Sequence, residues 1–152
     1  MKRLTFFIIT ALLLAPVVTL NAAKLADLRC EYLKDPLGID VAKPCLSWVI
    51  ESERRGERQS ADQLLVSSSL ELLAKNQGDL WNSGKVASDQ SIQVEYAGKP
   101  LVSRMQCFWK MRIWFMAHDS AVQGSEWSRK AEWSMGLLKP DDWNSRYLAT
   151  LY

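Results

Sequence analysis

The chain has 152 residues, enough for one domain and short of a second. It is 48% hydrophobic, 10% aromatic and 24% charged, which excludes a disordered, collagen-like or coiled-coil chain. The formal charge is +2, and it falls to 0 (17 basic against 17 acidic) once Lys2 and Arg3 are set aside with the leader. A neutral chain offers no electrostatic case for nucleic acid or an anionic membrane surface.

Residues 1–23 read as a signal peptide. Lys2 and Arg3 start it, Leu4 to Leu20 is an apolar run broken only by Thr5, Thr10, Pro16 and Thr19, and Ala22 and Ala23 supply small residues near a cut. The alternative is a permanent anchor, for which a run of about seventeen residues is short. Cys30 lies too far along for a lipoprotein cut. The expected location is periplasmic or secreted, with no membrane attachment after cleavage.

The rest of the chain alternates apolar and polar residues instead of repeating them at helical spacing. Leu28, Cys30 and Tyr32 form one strand face. Leu46, Trp48 and Ile50 form a second, Leu64 and Val66 lead a third, and Ile92, Val94 and Tyr96 make a fourth. Between the last two, Ser69 to Lys75 suits one or two helical turns. The clearest strand is 107–115. Cys107, Trp109, Met111, Ile113 and Phe115 face one way, and Phe108, Lys110, Arg112 and Trp114 the other. Ala131, Trp133 and Met135 close the series. Turn residues fall between these runs at Pro36-Leu37-Gly38, Gly56, Asn82-Ser83-Gly84, 97–100 and Gly124-Ser125. About seven short strands describe an all-β fold, an antiparallel β-sandwich. Trp48, Trp109 and Trp133 fit its core.

Ser125-Glu126-Trp127-Ser128 precedes the last strand, beside the outward Lys110 and Arg112. Trp127 is expected on the outer surface, stacked on one of those cations. The competing placement is the core. Cys30, Cys45 and Cys107 are read as mostly buried small apolar residues. A disulfide would leave one thiol over. With His118 the single histidine and no C-x-x-C pair, no metal site is expected.

In order and spacing, these segments resemble the N-terminal domain of bacterial α-L-rhamnosidases. The likeness runs through Leu28-Arg29-Cys30-Glu31-Tyr32, Asp35-Pro36-Leu37-Gly38-Ile39-Asp40, Pro44-Cys45-Leu46-Ser47-Trp48 and Arg58-Gln59-Ser60-Ala61. It continues through residues 78–86 and 94–101, Phe108-Trp109-Lys110-Met111-Arg112-Ile113-Trp114, Trp127-Ser128 and Met135-Gly136-Leu137-Leu138. The resemblance implies a fibronectin type III/immunoglobulin-like sandwich over 24–138. Residues 139–152 would then be a linker toward further β-domains and an (α/α) barrel that carries the catalytic acids. Asp62 departs from the family's usual aromatic, and an inward Asp is costly unless paired or solvated. The tail 146–152 keeps only part of the family's pattern, as a frameshift or truncation would leave it.

Glycoside hydrolysis needs two carboxyl groups about 5–9.5 Å apart across a sugar. Glu51 with Glu53 and Asp141 with Asp142 are the local acid pairs, and both read as solvated surface. His118, Asp119 and Ser120 are adjacent in a loop and cannot converge as a triad. No catalysis by this chain and no cofactor are expected. The expected function is a non-catalytic accessory domain of an α-L-rhamnosidase-like enzyme acting on rhamnose-containing glycans. Its partners would be the remaining rhamnosidase domains. The alternative is a secreted carbohydrate-binding or protein-interaction module, with Trp81, Trp114 and Trp143 as the sugar-stacking candidates.

Overall fold

The computed structural model describes residues 24–53, 55–116 and 123–143. The leader at 1–23, His118 with its loop, and the tail beyond Trp143 lie outside the described residues.

Eight strands, one short α-helix and a closing 3-10 helical turn (Pro140–Asp142) are found among the described residues. The strands and the α-helix are β1 (Lys24–Cys30), β2 (Cys45–Glu51), β3 (Arg58–Ser67), α1 (Leu70–Ala74), β4 (Trp81–Asn82), β5 (Val94–Glu95), β6 (Gln106–Met116), β7 (Gln123–Gly124) and β8 (Ala131–Ser134). One antiparallel sheet has the order β1-β2-β5. The other is β4-β3-β6, with β7 and β8 paired to different stretches of the far edge of β6. The alternating residues of both sheets meet in one core. Leu46 and Trp48 come from the first sheet, and Leu64, Val66, Trp109, Met111, Ile113 and Trp133 from the second. This is the all-β sandwich that the alternation implies. Cys107, Trp109, Met111, Ile113 and Phe115 are all buried, as are Ala131, Trp133 and Met135.

Four local expectations are corrected. Tyr32 does not share the buried face with Cys30, because Glu31 and Tyr32 take left-handed φ values of 48° and 64° and end the strand. Tyr32 is left exposed. Ile92 is also exposed, because Gln93 turns left-handed (φ 57°) before β5 begins. The third strand starts at Arg58, not Leu64. Its first half is polar yet buried, with Gln59 and Asp62 facing inward. Gly124 lies in β7 and not in a turn.

The helix forms where expected. The Ser69 hydroxyl accepts the Leu72 N–H at 3.3 Å as an N-cap. The buried Leu73 anchors the helix over β3 and β6. Tyr96 holds the sheets together at the other side of the core. Its hydroxyl lies 2.8 Å from the Lys99 carbonyl, and its ring packs edge-on against Trp81 and Trp133. At Gly98 a Cβ would sit 2.5 Å from that hydroxyl and from the Leu80 carbonyl, so only glycine fits. The three cysteines are free thiols, two buried and Cys45 half-buried.

Candidate functional site

The outward face of β6 carries Phe108, Lys110, Arg112 and Trp114 at every second residue, spaced by about 6–7 Å. Between β7 and β8 its edge is completed by a segment that is not a regular strand. The Ser125 N–H donates to the Ile113 carbonyl at 2.8 Å, and the Ser125 hydroxyl accepts the Ile113 N–H at 3.0 Å. Ser128 repeats the pattern on Met111, at 2.8 and 3.0 Å. Two serine hydroxyls thus stand in for ladder carbonyls, which satisfies buried donors while Glu126 and Trp127 bulge between them.

That bulge places Trp127 over the outer face, half-buried. The Arg112 guanidinium lies 4.6 Å from the Trp127 ring centre and 4.8 Å from that of Trp114. Lys110 is 5.3 Å from Trp127, and Lys85 is 4.6 Å from Trp114. Each such contact is worth about 0.5–2 kcal/mol. Polar partners fix the cations. Arg112 Nε donates to Gln63 at 2.9 Å, and Lys110 donates to Asn76 at 2.7 Å. Burial holds the Lys110 ammonium below its ordinary pKa. Gly124 lets β7 lie close to the indole, since a Cβ there would be 3.1 Å from Trp114 Nε1.

The sugar-stacking candidates are placed in different surroundings. Trp81 is half-buried and packs on Tyr96 at 5.3 Å. Trp114 belongs to the ladder, where Lys85 and Arg112 cover ring surface that a sugar would need. Trp143 is 69% exposed beyond the last helical turn. Trp48, Trp109 and Trp133 are buried in the core. Lys85 and Gln63 complete the ladder, and the sequence gives no local sign of them because loop and strand meet only in the fold.

A polar cluster lies at one end of the sandwich. Trp48 Nε1 donates to Gln59 at 3.1 Å, and the Gln59 amide donates to the Ser88 and Gln90 carbonyls at 3.1 and 2.9 Å. The same amide is 3.4 Å from Asp62. Burial pushes the Asp62 carboxyl up to about 6. A groove of about 900 Å³ opens beside this cluster, lined by Arg58, Gln59, Ser88, Asp89 and Met116 among others. Asp89 is the one acid among the described residues of its lining, whereas glycoside hydrolysis needs a facing pair. Glu51 instead pairs with Lys24 at 3.8 Å, both exposed. Asp142 accepts from the Ser103 hydroxyl and from the Lys139 N–H (3.0 Å), which holds its pKa below the usual carboxylate value. Among the described residues no group of three or more His, Cys, Asp or Glu is arranged to hold a metal.

Residues 25–139 match the family model described as the Rha78A-like N-terminal immunoglobulin domain. The chain belongs to this family. The N-terminal immunoglobulin domain is 40% identical over 130 residues to an α-L-rhamnosidase of Streptomyces avermitilis, covering 86% of this chain and 12% of that protein. An α-L-rhamnosidase of Formosa agariphila is 38% identical over 117 residues, covering 77% and 12%. The crystal structure of the Streptomyces avermitilis enzyme complexed with L-rhamnose superimposes with a TM-score of 0.74 at 42% identity, over 81% of this chain and 11% of that one. That of α-L-rhamnosidase from Dictyoglumus thermophilum gives 0.74 at 37%, over 80% and 13%. The domain therefore spans about an eighth of the length of the relatives it matches, at their N-terminal end.

Proposed function

We propose that this chain is a non-catalytic accessory domain that docks onto the remaining domains of an α-L-rhamnosidase-like glycoside hydrolase, exported through its leader. The observation that carries the reading is the confinement of the match to about 12% of each curated relative. An immunoglobulin-type sandwich with no paired acids among the described residues of its groove serves that role by packing. Rhamnose-containing glycans are then the substrates of the assembly and not ligands of this domain.

The exposed Trp143 supports a second reading, a carbohydrate-binding module that stacks sugar on an open indole. Titration of the full chain with rhamnose-containing oligosaccharides, read by tryptophan fluorescence, separates the two. The accessory reading expects no change up to millimolar sugar. Saturable quenching would overturn it in favour of binding.

A further inference from the structure

The last described segment leaves the sandwich between two loops that are pinned to it by backbone hydrogen bonds. On one side, the Ser134 N–H donates to Pro36 at 3.1 Å, Ile39 to Ser134 at 2.8 Å, and Gly136 to Ile39 at 2.7 Å. The Asp35 carboxylate adds the Glu132 N–H at 3.0 Å, and the Ser134 hydroxyl accepts the Gly38 N–H at 3.0 Å. On the other side, the Arg104 N–H donates to Gly136 at 3.0 Å, and the Leu138 N–H donates to the Ser103 hydroxyl at 2.8 Å. Asp142 then closes back on Ser103. Both loops are held rigidly, yet each shows water a large apolar side chain. Leu37 is 82% exposed and Val102 is 56% exposed, while Trp143 ends the segment between them at 69%. Rigid backbone around exposed apolar groups is the preorganised form of an interface, since little ordering cost remains for binding.

We infer that Leu37, Val102 and Trp143 form the surface onto which the segment following this domain in a rhamnosidase folds back. The occupant follows from chain direction. The match lies at the N-terminal end of proteins about eight times its matched length, so their remaining polypeptide departs from this end of the sandwich. This inference rests on the accessory-domain reading and gives that reading a place on the molecule.

The test replaces the matched N-terminal domain of the Streptomyces avermitilis α-L-rhamnosidase with this domain and follows proteolytic release of the domain at the junction. It compares the parent replacement with a Leu37→Ser, Val102→Ser double variant. The parent should resist cleavage. The double variant should release the domain about tenfold faster or more, because protease samples the undocked form and docking has lost two buried apolar side chains. In the full chain alone the same substitutions should leave Tm nearly unchanged, since both side chains are already mostly exposed. Equal release rates for parent and double variant would place docking elsewhere while leaving the accessory reading intact. A parent replacement that fails to fold, or is cleaved as fast as an undocked linker, would overturn both. A large loss of Tm in the full chain would show that the two side chains serve the domain's own fold, and would overturn the docking surface alone.

Discussion

Asp62 shows how one residue sets a pH dependence. It faces the core at 3% exposure, with the Gln59 amide 3.4 Å from its carboxyl, and burial lifts its pKa from the ordinary 3.8 to about 6. The folded state therefore keeps a proton that the unfolded chain releases near pH 4. This contribution to stability is complete below that pH and is lost as pH rises through 6. Asp62→Asn should remove the slope. It should stabilise the chain by about 2 kcal/mol at pH 7.5 and by little near pH 4, as urea midpoints would report. A pH-independent difference would contradict this. Arg112 is the second informative residue, because it touches both outer indoles and Gln63. Arg112→Ala should cost about 2 kcal/mol in urea unfolding, and Arg112→Lys about half, since lysine keeps the charge and loses the planar stack. A loss within about 0.5 kcal/mol for alanine, ordinary for surface changes, would mean the ladder contributes nothing measurable. Cysteine reactivity provides a third check. Burial raises Cys30 and Cys107 to about 12, so only the half-buried Cys45 should react with an aromatic disulfide reagent in the folded chain. Rapid labelling of all three would contradict the packing described.

At the scale of elements, the edge of β6 depends on two hydroxyls. Ser128→Ala leaves the Met111 N–H without an acceptor inside the sheet and should cost about 1–3 kcal/mol, with faster hydrogen exchange at Met111. Ser128→Thr should preserve most of the stability. An alanine variant as stable as the parent would show that water replaces the hydroxyl. The strands whose pattern reads cleanly from sequence, β2, β6 and β8, turn every second residue toward the opposite sheet, with Ile50 of β2 only half-buried. Strict alternation is the direct imprint of that burial. The early half of β3 escapes such a reading because Gln59 and Asp62 are polar residues on the buried face, and only the fold supplies the Trp48 indole that meets Gln59. Tyr32 and Ile92 mislead for the opposite reason. Left-handed residues at 31, 32 and 93 break the alternation, and none of them is glycine. At the outer face, the period-2 spacing puts Lys110 and Arg112 on the same side, and the Ser125-Glu126-Trp127-Ser128 bulge brings Trp127 to them. Lys85 reaches Trp114 from a distant loop, a contact that no spacing along the chain encodes.

For the whole molecule, the two sheets enclose a core built from tryptophans and aliphatic residues, and several polar groups among the described residues tie segments together. Gln59 ties a strand to a loop, Asp142 ties the last helical turn to Ser103, and the outer cations are occupied by indoles. Among the described residues the groove beside Gln59 carries one acid, where hydrolysis of a glycoside needs two. We propose that this N-terminal immunoglobulin domain works by packing onto neighbouring domains and does not itself hydrolyse rhamnosides. The most direct measurement is turnover of an aryl α-L-rhamnoside by the purified full chain at high protein concentration. Product release should equal the buffer control. Release that scales with protein concentration and co-elutes with the purified chain would contradict this.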